Sequence, residues 1–228
     1  MTAAASPSPL VAVTRALLVL ALDAALLAVG LGGADRVARD PRALALLAIW
    51  GAGGITLAWM RPSRGHDVAE SKPDPGPMVV LFFVPLLAPM AGAWAARHAW
   101  AIPPFAGAVA WTGVALAGAG LALRIAAMAK LGARFSPLVA LQRGHALETG
   151  GPYAWVRHPG YAGALLACVG GSMAFGSMAA LPLPALMLAA QLARVRAEEA
   201  LLSRHFGDAW RDYAARTGVL LPRPARGR

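Results

Sequence analysis

One cysteine stands in the chain, Cys168, so no disulfide can form within it and no cysteine-based metal site can be built. Its apolar surroundings suit a small buried hydrophobe. Charge is scarce too: 14% of the 228 residues are charged, against about a quarter in a soluble domain. Acids are the rarer sign, 11 against 21 basic residues. No repeat of fixed period and no metal-ligand cluster is visible.

Apolar residues fill the space that charge leaves, at 58% of the chain, and they fall in blocks. A membrane-spanning helix needs about 20 mostly apolar residues. Leu10–Val29, Ala43–Met60, Met78–Trp94, Phe105–Ala129, Tyr161–Phe175 and Met178–Ala193 meet or approach that length. The last two are short and separated only by Gly176 and Ser177, which reads as a tight helical hairpin. The expected fold is therefore an all-α integral membrane protein of about six transmembrane helices; five plus a partly immersed element is the alternative count. The first block is long, holds Arg15 and Asp23, and lacks a clean small-x-small cleavage site, so it is expected to stay as a span rather than leave as a signal peptide.

Charge placement sets an orientation. With the N-terminus inside, the inner loops hold Arg61, Arg64, Lys72, Lys130, Arg134, Arg143 and Arg157, and the arginine-rich tail from Arg194 onward joins them. The outer loops hold only Arg36, Arg39, Arg42 and Arg97. Positive residues favour the cytoplasmic side, so both termini are expected there. The net charge of +10 then reflects topology and attraction to anionic lipid heads, and calls for no nucleic-acid partner. Nothing points to a protein partner. The Ala- and Arg-rich composition suggests a GC-rich bacterial genome, hence a bacterial inner membrane.

Residues 1–77 read as two transmembrane helices and a polar, proline-bearing connector, Arg61–Pro77. Residues 78–228 read as a functional core: helices three to six, a loop over 130–161, and a C-terminal helix over 191–216. That helix carries an apolar stripe, Leu192, Val195, Leu201, Leu202, Phe206, Trp210 and Tyr213, with Arg and Glu opposite. Gly207 should end or bend it. Within the fourth span, Gly107, Gly113, Gly118 and Gly120 suit close helix packing.

Polar chemistry gathers in three places at the predicted cytoplasmic boundary: His145 in "GHALETGGPY", the run Arg157-His158-Pro159 with Tyr161, and Arg194 with Glu198 and Glu199. Each has an ordinary explanation. Arg194 and Glu198 could be a simple i,i+4 pair, Arg157 a snorkelling arginine, and Tyr153 and Tyr161 interfacial anchors. Pro159 suits the first turn of the next helix. Glu198 and Glu199 point about 100° apart, so at most one can face a pocket squarely. The ordinary explanations cover each residue but not their clustering.

The pattern His145, Leu147, Gly151, Tyr153, Arg157, His158, Pro159, Tyr161, Gly163, followed by the hairpin and then Arg194, Glu198, Glu199, Leu202, Phe206, Gly207, Trp210 and Tyr213, resembles the isoprenylcysteine carboxyl methyltransferase and phospholipid methyltransferase superfamily. The resemblance runs from about Phe135 to Leu221. It implies an enzyme using S-adenosyl-L-methionine at the cytosolic membrane face. By the same resemblance, His145, Ala146, Leu147, Glu148, Tyr153, His158, Pro159, Gly160, Tyr161 and Glu198 bind the cofactor. Arg194, by that resemblance too, faces the substrate, a catalytic role; Glu199 is the second catalytic candidate, on chemical grounds, because an amine acceptor must first be deprotonated and His158 or Glu199 could do it. Glu148 departs from the family's usual aliphatic residue, and Trp210 replaces a common tyrosine. The chemistry fits: a sulfonium cofactor with an amino-acid tail needs a carboxylate, hydrogen-bond donors and aromatic walls. The acceptor is expected to be a membrane lipid or small hydrophobic molecule offering a carboxylate, an amine or a thiol. A nicotinamide-dependent membrane reductase and a non-catalytic lipid-binding protein are the alternatives.

Overall fold

The computed structural model describes residues 9–60, 68–72, 75–100, 105–132, 139–142 and 146–223. His145 lies outside them. Among the described residues, eight α-helices follow in order: α1 Pro9–Leu31, α2 Ala34–Arg39, α3 Pro41–Trp59, α4 Pro75–Arg97, α5 Ala106–Leu131, α6 Pro159–Met173, α7 Pro182–Phe206 and α8 Asp208–Arg216. A 3-10 turn, Gly151–Ala154, precedes α6. The described departure from an all-helical reading is a small antiparallel ribbon. Its strands, β1 Val68–Lys72 and β2 Val139–Gln142, pair Val68 with Gln142 and Lys72 with Val139. It ties the connector after α3 to the loop before α6, and β2 lies beside α7.

Among the described residues, three helices are long and apolar enough to cross a bilayer, within Leu10–Leu31, Gly76–Arg97 and Ala106–Leu131; α3 contributes a shorter apolar stretch, Pro41–Leu57. The protein is an integral membrane protein of helical build. Asp40 starts α3 by accepting from the Arg42 amide at 2.9 Å, and its carboxylate pairs with the Arg42 guanidinium at 2.6 Å. At 1.5 Å per residue, the 15 residues of α6 reach roughly 22 Å, short of a hydrocarbon core of about 30 Å.

One expectation about the hairpin is corrected. The sixth block and the C-terminal amphipathic helix are not separate elements: α7 runs without a break from Pro182 to Phe206. The most extensive partner of α6 is α5. Small residues decide this. Gly113 and Gly120 of α5 face Gly170 and Gly163 of α6, and a Cβ placed on Gly163 would stand 2.5 Å from the Gly120 carbonyl oxygen and 2.6 Å from the Arg124 amide nitrogen. The helices touch backbone to backbone, which any larger side chain would prevent. Gly207 ends α7 with φ of 53°, a left-handed conformation suited to glycine, and α8 leaves in a new direction. Cys168 is buried with Val84, Ala88 and Met187 where α4, α6 and α7 meet.

Candidate functional site

Pro159 occupies the first turn of α6, where a missing N–H costs nothing, so the helix starts there and His158 becomes its N-cap residue. That start fixes His158, Gly160 and Tyr161 on the end of α6. Gln191, Arg194 and Glu198 lie on one face of α7, and they meet Tyr161. The Tyr161 hydroxyl donates to Glu198 Oε2 at 3.2 Å and accepts from Arg194 Nε at 3.1 Å. The Gln191 amide donates to the Tyr161 carbonyl at 3.1 Å. The tyrosine thus links the arginine and the carboxylate four residues apart on α7.

Glu199 turns the other way. Its Oε1 accepts from Arg157 Nε at 2.7 Å and lies 3.2 Å from His158 Nε2. Glu199 lies past the apolar stretch of α7. Burial alone would raise its carboxyl, but the hydrogen bonds and charges of His158 and Arg157 outweigh that and hold it below its ordinary value. His158 Nδ1 stands 4.0 Å from Glu198 Oε1, so the buried imidazole sits between the two carboxylates.

Arg157 is more than a marker of topology. Its Nη1 donates to the carbonyls of Ala214 and Thr217 at 2.9 and 2.7 Å, while its amide donates to Gly218 O at 2.8 Å. The His158 amide donates to Val219 O at 3.1 Å, and Val156 bridges Gly218 in parallel. Residues 155–158 and 217–219 form a clasp that closes the site against the end of α8. Tyr213 strengthens it by donating to the Tyr153 carbonyl at 2.7 Å. The Tyr153 hydroxyl reaches the Ala127 carbonyl on α5 at 3.4 Å. Burial, then the nearby Glu198 charge, raises the Tyr153 phenol well above its usual range; burial pushes Tyr213 up to about 12. Both stay protonated donors at neutral pH.

These groups border one cavity of about 580 Å³, within the roughly 300–1,000 Å³ of small-molecule sites. At its polar end stand Glu148, Tyr153, His158, Tyr161, Arg194 and Glu198. Its apolar arm runs between helices, along Leu121, Leu81, Phe82 and Pro85 to Trp50, Leu22 and Val19. Of the residues singled out in the sequence, Leu147, Glu148, Tyr153, His158, Gly160, Tyr161, Arg194 and Glu198 line it. Ala146, Pro159 and Glu199 do not: Ala146 is exposed, Pro159 serves the helix start, and Glu199 belongs to the clasp. Glu148 accepts from the Gly150 amide at 3.0 Å and faces Lys130 Nζ at 3.8 Å, so it shapes the turn before Tyr153.

Sequence reasoning missed two polar lining residues, Arg124 and Gln191. Arg124 reaches from α5 to the Gly160 carbonyl at 3.1 Å, and an arginine inside an apolar helix was itself a signal. Gln191 is fully buried, and Trp210 of the motif completes the wall. Gln191 carried no such signal, being uncharged and at the edge of a block.

Residues 113–204 match the family described as the isoprenylcysteine carboxyl methyltransferase (ICMT) family. Two curated proteins, both protein-S-isoprenylcysteine O-methyltransferases, are similar to this chain. The one from Schizosaccharomyces pombe is 37% identical over 103 residues, covering 44% of each chain. The one from Tribolium castaneum is 33% identical over 108 residues, covering 45% of this chain and 38% of the relative. The match thus spans less than half the length of these relatives. Among solved structures, the eukaryotic intramembrane Ras methyltransferase ICMT superposes with a TM-score of 0.54 at 22% identity, covering 86% of this chain and 72% of that one. That likeness is one of fold.

Proposed function

We propose that this chain, which over residues 113–204 matches the isoprenylcysteine carboxyl methyltransferase family, is an S-adenosyl-L-methionine-dependent methyltransferase acting on a membrane-embedded, hydrophobic acceptor. The supporting observation is one continuous cavity with a polar end and an apolar arm. A water-soluble cofactor and an oily acceptor can meet in such a space without either leaving its own medium.

The polar end suits the cofactor. Glu198 faces the cavity with its side chain about one third exposed, and among the described residues its hydrogen-bond donor is the Tyr161 hydroxyl. It has lone pairs left for an ammonium or ribose hydroxyls. Tyr153 and Tyr161 offer ring faces for an adenine, and His158, which lines the cavity, adds a polar group within reach. The bound cofactor would supply an electrophilic methyl group. The chain's own residues orient: the Tyr161–Glu198–Arg194 set fixes both sides of the polar end. Holding reactants in line can lower a barrier by roughly 7–11 kcal/mol. Arg194, buried beside that set, faces the acceptor, while Glu199 acts on His158 and Arg157 as a positioning residue rather than a reacting one. The site shares one end of the bundle with the arginine-rich α7–α8 segment. By the positive-inside rule we place that end at the cytoplasm, with anionic lipid heads around it.

Calorimetry on the purified protein in detergent tests the reading. S-adenosylhomocysteine should bind with micromolar affinity, and Glu198→Ala should weaken it at least about tenfold, the loss of one charge-assisted contact. Binding of NADPH instead, or of neither compound, would sink it.

A further inference from the structure

The charges around the cavity do not all pair. Arg157 meets Glu199 at 2.7 Å, Lys130 faces Glu148 at 3.8 Å, and Arg194 is linked to Glu198 through the Tyr161 hydroxyl. Arg124 differs: no described carboxylate lies within ion-pair distance of it. Its described side-chain hydrogen bond is the one from Nη1 to the Gly160 carbonyl. A guanidinium carries five N–H donors, so most of its capacity is uncommitted among the described residues.

Its position adds to this. Arg124 sits within the apolar helix α5, one turn from Leu121, and both line the cavity. It therefore stands where the polar end gives way to the apolar arm. The α5–α6 glycine contact holds it there, since the Arg124 backbone lies against Gly163. A cation without a counter-charge in a low-dielectric wall is costly, and an arriving anion offsets that cost.

We infer that Arg124 is a specificity-determining residue that binds the anionic head group, carboxylate or phosphate, of the acceptor whose hydrocarbon occupies the apolar arm. This rests on the methyltransferase reading and deepens it: among carboxylate, amine and thiol acceptors it selects a negatively charged amphipath. Arg194 faces the acceptor too, but its charge is already engaged with Glu198 through the Tyr161 hydroxyl. Arg124 touches the acceptor's charge, and its bond to Gly160 keeps that charge beside the first turn of α6.

Equilibrium binding by microscale thermophoresis, on the full chain in detergent, reads this without turnover. The probes are N-acetyl-S-farnesylcysteine, its neutral carboxamide, and farnesyl phosphate. Wild type should bind an anionic probe at least about tenfold more tightly than the amide, the size of one charge-assisted hydrogen bond. Arg124→Gln should bring the probes within about twofold of each other, chiefly by weakening the anion. The anion that loses more, carboxylate or phosphate, identifies the head group. Arg194→Gln should keep the preference, and this variant decides the matter should Arg124→Gln fail to fold. Equal affinities in wild type, a preference undiminished in Arg124→Gln, or one abolished by Arg194→Gln, overturns the inference. S-adenosylhomocysteine, titrated alongside, separates the two claims. Its failure to bind wild type removes the cofactor reading and leaves the charge preference to be read on its own.

Discussion

Deleting the Arg157 guanidinium tests the clasp most directly. Its side chain is 9% exposed and donates to Glu199 Oε1, Ala214 O and Thr217 O at 2.7, 2.9 and 2.7 Å. Arg157→Met keeps the apolar stem and removes every donor. A hydrogen bond to a charged group contributes about 1.5–3 kcal/mol, and breaking a fully buried ion pair costs about 3–5 kcal/mol. The full sum does not apply here. Glu199 is 26% exposed and keeps His158 as a partner. Ala214 is half-buried, so water can replace the donor at its carbonyl, while Thr217 is buried. The expected loss is about 3 kcal/mol, of which about 1.5 kcal/mol is coupling to Glu199. Reversible unfolding in mixed dodecyl maltoside and sodium dodecyl sulfate measures it on wild type, Arg157→Met, Glu199→Gln and the double variant. Arg157→Lys should recover less than half, because a single ammonium nitrogen cannot stand in for Nε at Glu199 and Nη1 at the two carbonyls at once. A coupling below about 0.5 kcal/mol would make the pair an ordinary solvated one and refute the reasoning.

The same pair sets a pH dependence. The folded Glu199 carboxyl binds a proton less readily than the unfolded one, so its contribution is complete above the ordinary glutamate value of about 4.3 and is lost as pH falls through the depressed folded value. Unfolding curves from roughly pH 6 downward should show this loss, and Glu199→Gln should flatten it; an unchanged slope would contradict the assignment. Gly163→Leu should cost more than about 3 kcal/mol or prevent folding, because its Cβ already meets backbone on α5. Gly107→Ala, in the same α5 but with nothing within 4 Å of a new Cβ, should be neutral or stabilising by up to about 1 kcal/mol. Equal effects of the two on detergent thermal melts would disprove the packing argument. Tyr213→Phe should cost about 1 kcal/mol and weaken S-adenosylhomocysteine binding measurably, since it frees the Tyr153 carbonyl; calorimetry that finds affinity unchanged would detach Tyr213 from the site.

Much of this was legible in the sequence, and the physics says why. Apolar runs and glycine spacing report helices and their close contacts. Pro159 marked the start of α6 and Gly207 the end of α7 because each residue's backbone permits little else there. The 100° offset of Glu198 and Glu199 required one to face away, and the structure assigns Glu198 to the cavity and Glu199 to the clasp. The clasp itself was not legible. Its register comes from main-chain hydrogen bonds between 155–158 and 217–219, which any sequence could make, and the Arg157 and Tyr213 side chains reinforce it by donating to carbonyls that no pattern announces. For the same reason the β1–β2 ribbon escaped notice. Arg124 stands inside the fourth apolar block, and a cation in hydrocarbon needs a reason to be there. The continuity of α7 through Gln191 was hidden because hydropathy falls along a helix that leaves the bilayer while its hydrogen bonds continue.

Arg157 and the carbonyl it grips at Thr217 are 60 residues apart. All of α6, α7 and α8 must therefore be made before the segment that finishes the pocket exists. A chain cut short anywhere between these two residues leaves the Arg157 guanidinium without its Thr217 acceptor. The pocket is completed by the stretch that follows α8, so binding ability should depend on a segment that lines none of it.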